Sequence, residues 1–177
     1  VIDNHGGDHL TIINSTISGN QGSGIHTYDD LKILNSTITE NYGGSRGGGL
    51  DISTGSDSPL VEVENTIITK NTSLYTGPNV DGPVTSLGHN LIDDATGSTG
   101  FGTTGDLIGV DPKLAPLGFG GGLTQTHALL VGSPAIGSAN AASAPTIDQR
   151  GFARTSGPAT DIGAFEAFGG GDLAGSV

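Results

Sequence analysis

Two segments of this chain are nearly the same. Leu10-Thr11-Ile12-Ile13-Asn14-Ser15-Thr16-Ile17-Ser18-Gly19-Asn20 is followed by Leu31-Lys32-Ile33-Leu34-Asn35-Ser36-Thr37-Ile38-Thr39-Glu40-Asn41. A looser copy runs from Val61-Glu62-Val63-Glu64-Asn65 to Ile68-Thr69-Lys70-Asn71. The anchors Asn14, Asn35 and Asn65 are spaced by 21 and 30 residues. Between anchors, Gly22-Ser23-Gly24-Ile25 matches Gly47-Gly48-Gly49-Leu50. A repeat this short cannot bury its own apolar face, so it must stack on its neighbours. The longer second spacing is absorbed by residues 42–46 and 54–59, both rich in turn formers.

The apolar runs within each repeat are short, β-branched and partly alternating, which is strand chemistry and not a helical stripe. The expected fold is all-β: a right-handed parallel β-helix, or solenoid, one coil per repeat. A loop-rich C-terminal module packs on it. Strands of adjacent coils lie about 4.8 Å apart, so equivalent residues stack into ladders. Asn14, Asn35 and Asn65 are expected to stack at one bend. Ile17, Ile38 and Ile68 are expected to fill one interior wall. Glycines would supply positive φ at the corners.

The expected division is coils over 1–105, the module over 106–167, and a tail or linker over 168–177. Residues 1–5 match segments in mid-coil, so the stack is expected to start part-way round a turn. An uncovered coil exposes strand edges. That makes Val1 and Ile2 at one end, with Phe168, Leu173 and Val177 of the tail, the expected contacts for end-to-end self-association.

The chain of 177 residues has 6 basic and 18 acidic side chains and a net charge of −12. This balance argues against nucleic acid as a partner, because phosphate binding needs cations. No run of eighteen apolar residues occurs, so no membrane insertion is expected. Cysteine is absent, which excludes disulfides and thiolate metal sites. The acidic, Gly/Ser/Thr/Asn-rich composition points to a secreted, extracellular or cell-surface protein.

Five motifs in the last third occur in a fixed order: Asp111-Pro112-Lys113-Leu114, Thr124-Gln125-Thr126-His127-Ala128-Leu129-Leu130, Gly132-Ser133-Pro134-Ala135-Ile136, Asp148-Gln149-Arg150-Gly151 and Asp161-Ile162-Gly163-Ala164-Phe165-Glu166. Together they resemble the choice-of-anchor Q domain of bacterial surface and secreted proteins, over about residues 106–167. The resemblance implies β-helix repeats upstream, surface placement and no established catalytic activity. The chain departs from that family at Gly120-Gly121-Gly122-Leu123, where Asn-Gly-Gly-Pro is common, and at Gly137, where Asp is usual.

Catalytic signals are weak. The six basic residues fall in no lyase motif, and no Gly-x-Ser-x-Gly elbow is present. The adjacent carboxylate pairs Asp29-Asp30 and Asp93-Asp94 have turn-like neighbours. No enzyme activity and no cofactor are therefore expected. Calcium is the one metal considered, at Asp3, Asp29, Asp30, Asp51 and Asp57, read as equivalent connecting turns whose stacked carboxylates a hard cation would neutralise. In Asp148-Gln149-Arg150-Gly151 the guanidinium is expected to clamp a loop, with Asp148, Asp161 and Glu166 as partners. His127 is expected to be packed and hydrogen-bonded. Of the Asn-x-Ser/Thr sites, Asn71 is expected to be the most accessible to a glycan. The functional expectation is a structural surface solenoid that assembles end to end. Alternatives are a module that binds or degrades carbohydrate, with cell-surface polysaccharide as partner, and a truncated adhesin stalk.

Overall fold

The computed structural model describes residues 1–7, 9–55, 58–154 and 159–167. Its strands are two to four residues long and wind into successive coils. The first coil holds β1 (Ile2–Asn4), β2 (Leu10–Ile13) and β3 (Thr16–Ser18). The second holds β4 (Ile25–Thr27), β5 (Leu31–Leu34) and β6 (Thr37–Thr39). The third holds β7 (Leu50–Ile52), β8 (Val61–Glu64) and β9 (Ile67–Thr69). The fourth holds β10 (Val80–Pro83), β11 (Thr85–Gly88) and β12 (Leu91–Ile92), and β13 (Ser98–Thr99) and β14 (Leu107–Ile108) start a fifth. No helix occurs among the described residues.

Every pair of neighbouring strands is parallel. The strands form three sheets, ordered β1-β4-β7-β10-β13, β2-β5-β8-β11 and β3-β6-β9-β12-β14. This is a parallel β-helix. The coil stack reaches Ile108, three residues beyond the expected boundary at 105.

Register follows the repeats. Leu31 pairs with Leu10 and Val61, and Ile38 pairs with Ile17 and Ile68. In β5, Leu31 and Ile33 point inward while Lys32 and Leu34 point outward, the period-two alternation of a strand. The inward residues of all three sheets make one apolar column, which includes Ile17, Ile38 and Ile68. Burying each such side chain is worth about 1.5–3 kcal/mol.

The bend between the second and third sheets is made by asparagine in the first three coils and by His89 in the fourth, not by glycine. Asn14, Asn35 and Asn65 have φ of 48°, 44° and 50°. Asparagine tolerates this left-handed conformation better than most residues with a Cβ. The expected Asn14/Asn35/Asn65 ladder forms only in part. Asn65 Nδ2 donates to Asn35 Oδ1 at 3.2 Å. Asn14 Nδ2 turns away to the Ile147 carbonyl at 2.7 Å.

A fuller ladder runs along another corner. Asn20 Nδ2 donates to Asn41 Oδ1 (2.7 Å), Asn41 Nδ2 to Asn71 Oδ1 (2.9 Å) and Asn71 Nδ2 to Asn79 Oδ1 (3.0 Å). Each acceptor oxygen also takes the backbone N–H of the residue below it. Asn79 Nδ2 ends the series on Asp93 Oδ1 at 2.6 Å. Asn71 is therefore buried and its amide fully engaged, so the expected accessible glycan acceptor is not accessible.

The C-terminal module has almost no regular strand. Among the described residues its pairing is by isolated antiparallel bridges, Leu114 with Leu129, Gly118 with Thr126 and Ile147 with Ala153. It lies along the outer side of the third sheet. Ile67 and Leu91 point out of the coils and join Leu129, Ala135, Ile162 and Phe165 in a second apolar cluster. All residues of β6 and β9 are consequently buried. At Gly163, φ is 101° and a Cβ would lie 2.8 Å from Ile67 Cδ1 and 3.0 Å from Thr37 Oγ1. Only glycine permits this approach of module to sheet.

Candidate functional site

With the third sheet covered, the first sheet keeps an outer face. Ile25-His26-Thr27 buries its flanking residues and leaves His26 part-exposed, and in Leu50-Asp51-Ile52 all three residues are buried, Asp51 included. Parallel register then stacks Asp3, His26, Asp51 and Asp81 on consecutive coils. His26 sits between two acids: its Nδ1 is 3.6 Å from Asp3 Oδ1 and its Nε2 is 3.6 Å from Asp51 Oδ2. His26 Nε2 is also 3.0 Å from Ser53 Oγ. Tyr28 packs edge-on against the imidazole, with ring centroids 4.6 Å apart.

Asp51 is the unusual member. Its side chain is 10% exposed, against 55% for Asp3. Its Oδ1 has no hydrogen-bond partner among the described residues. Burial raises its pKa, and Asp81 pushes the same way, while His26 and Arg46 oppose them. The face thus carries a buried carboxyl with a raised pKa beside an imidazole and a hydroxyl.

Beyond Tyr28 the surface dips into an open cleft of about 250 Å³, lined by Gly7, His9, Tyr28, Asp29, Asp30, Ser58 and Pro59. Its acids are turn caps as well. Asp29 Oδ2 accepts the Gly7 N–H at 2.9 Å and Asp30 Oδ1 accepts the Leu60 N–H at 2.8 Å.

The described members of the expected calcium set therefore do not converge on one point. Asp3 and Asp51 lie within strands, not in connecting turns, and His26 separates them. Asp29 and Asp30 are at the cleft, and Asp57 lies outside the described residues. Among the described residues, no three His, Asp or Glu side chains are grouped to hold a metal ion.

The clamp in the module has two arginines. Arg150 Nε and Nη2 donate to Asp148 Oδ2 at 2.9 and 2.7 Å. Arg150 Nη1 reaches the Gly120 carbonyl, and the guanidinium lies 3.5 Å from the Phe165 ring centroid. The expected side-chain partners Asp161 and Glu166 are engaged elsewhere. Asp161 caps the Gly137 and Ala167 N–H groups, and only the main-chain carbonyl of Glu166 meets Arg150. The Glu166 carboxylate pairs with Arg154, Nη1 to Oε2 at 3.3 Å.

Arg154 was not singled out by its sequence context. It is 2% exposed and donates to Asn14 Oδ1 and to the Gly163, Asp161 and Ile147 carbonyls. The one sequence signal for it was scarcity, since only six basic residues serve the whole chain. Burial lowers the Arg154 pKa and pushes Glu166 up to about 7, desolvation outweighing the pairing on both sides. Glu166 Oε1 has no hydrogen-bond partner among the described residues.

His127 is 1% exposed and is held at both nitrogens, 2.8 Å from the Ala115 carbonyl and 2.8 Å from Ser18 Oγ. Of the expected assembly residues, Val1 is exposed and Ile2 packs against the core. Phe168, Leu173 and Val177 lie outside the described residues. No helix among the described residues is long and apolar enough to cross a membrane. No family model, no curated protein and no solved structure matches this chain.

Proposed function

We propose that this chain is a structural β-solenoid segment of an extracellular or cell-surface protein, with a C-terminal module of the choice-of-anchor Q type. One observation carries the reading: the module bonds to four successive coils. It meets the first at Asn14, Thr16 and Ser18, and the second at Asn35 and Thr37. It meets the third at Glu64 and Asn65, and the fourth at His89. In a plain solenoid each coil touches only its neighbours, so a stack frays or shears one interface at a time. A strut running lengthwise couples coils that do not otherwise touch. This geometry suits transmission of load along the axis. End-to-end self-association into a filament extends the reading.

The test combines fractionation of producing cells with immunogold electron microscopy. The reading predicts label outside the cell, on extended structures. Recovery of the chain only from the cytosol would sink it. Sedimentation velocity tests the filament: a concentration-dependent series of larger species is expected, and a folded monomer at every concentration removes self-association.

A further inference from the structure

We propose that Ser53, His26 and Asp3 form a nucleophile–base–acid triad on the open face of the first sheet, acting on small acyl esters of uncharged or cationic alcohols. The roles follow from which ring nitrogen faces which group. Ser53 Oγ is 3.0 Å from Nε2, within hydrogen-bond reach of a base. Asp3 stands at the other nitrogen, where a carboxylate orients the ring and stabilises the imidazolium. At 3.6 Å the Asp3–Nδ1 contact is longer than a hydrogen bond, and the same Oδ1 lies 3.6 Å from His5 Nδ1, so the triad requires Asp3 to close on His26 when substrate binds. Tyr28 packs edge-on against the imidazole and also lines the neighbouring cleft.

The electrostatics restrict the substrate. Asp3 and Asp81 share this face, and Asp29 and Asp30 line the cleft. An anionic ester would be repelled, whereas alcohol hydroxyls or an ammonium group find acceptors here.

In the first half-reaction Ser53 Oγ bonds to the acyl carbon as its proton passes to His26 Nε2. The tetrahedral intermediate collapses, the bond from acyl carbon to alcohol oxygen breaks, and that oxygen takes the proton from Nε2. Water then attacks the acyl-serine, its proton passes through Nε2 to Ser53 Oγ, and the carboxylic acid leaves. Asp51 lies on the same side of the ring as Ser53 Oγ. When protonated it can donate to the developing oxyanion, and burial raises its pKa in that direction.

The test is labelling of the intact protein with a fluorophosphonate, in which the serine oxygen displaces fluoride from phosphorus, followed by peptide mapping. p-Nitrophenyl acetate turnover is measured in parallel. Labelling of native protein at Ser53 is expected, with none in Ser53→Ala. His26→Gln should slow labelling by about 10²–10⁴-fold, the span of a lost general base. Asp3 acts through His26 as a positioning residue. Asp3→Asn should slow labelling and Asp3→Glu should restore it, a rescue that a merely structural role would not produce. Asp51→Asn should retain more turnover than Asp51→Ala. Far-ultraviolet circular dichroism verifies that each variant is folded. Absence of labelling under conditions that label a reference serine hydrolase overturns the triad. So does labelling at another serine, or equally fast labelling of Ser53 in folded His26→Gln.

Discussion

In the coil stack, an interior position holds Ile, Leu or Val, and the positions above and below it hold the same kind of residue. In the module, the interior is organised around two guanidinium groups and the carboxylates Asp148, Asp161 and Glu166. The first arrangement spreads cohesion over many interchangeable contacts. The second concentrates it in a few bonds with fixed directions. An apolar position tolerates a smaller neighbour at modest cost, because dispersion and burial are non-directional. A buried ion pair does not, since losing one partner strands the other charge.

The largest expected effect is therefore in the module. Arg154→Ala should cost about 3–5 kcal/mol in urea unfolding, because Glu166 loses its cation and Asn14 its donor. Hydrogen exchange should rise at the Asn14 and Asn35 bend as the strut detaches. A loss below 1 kcal/mol would erase the contrast between the two regions.

Gly163→Ala comes next, at about 1–3 kcal/mol, because it forces a Cβ onto Ile67 at a positive φ. Its thermal transition should broaden or split if the module alone lets go.

Acid–base behaviour should sharpen the comparison further. Glu166 is raised from 4.5 to about 7 in the folded protein. Its protonated form favours folding, so its contribution is complete below pH 4.5 and is lost as pH rises through about 7. Asp161, also raised by burial, acts in the same sense. Tm should fall between pH 5 and pH 8, and Glu166→Gln should flatten that slope. Parallel slopes in the two proteins would show that Glu166 does not titrate there.

A core substitution in the coils should be milder. Ile38→Val removes one methylene and should cost about 0.5–1.5 kcal/mol. Smallest of all is Lys32→Ala. Its cross-strand partner Glu62 is 3.6 Å away with both side chains partly exposed, so at most about 1 kcal/mol is at stake. If this exposed pair outweighs Ile38→Val, cohesion of the coils does not lie in their apolar column.

The solenoid was legible because its signals are local and repeated. Leu31, Ile33 and Ile38 carry a period of two, and their copies at Leu10, Ile12 and Ile17 announce the stacking partner. Ile67-Ile68 hinted that one sheet is covered on both faces, since an outward isoleucine in a strand needs a lid. The ladder through Asn20, Asn41 and Asn71 was present in the repeats. Its end at Asn79 was not, because Asn79 follows Asn71 by only eight residues and breaks the period.

The sequence by itself determined that this chain is a stack of parallel coils. Burial of alternating apolar residues in repeated segments leaves few other solutions. Only the tertiary structure decided which charges meet. Glu166 chose Arg154 over Arg150. His26 came to rest between Asp3 and Asp51, residues 23 positions before and 25 after it, with Ser53 at its Nε2. The apolar period fixes which way a side chain points. Its charged neighbour belongs to another coil or another loop, and that meeting depends on how many residues each turn consumes.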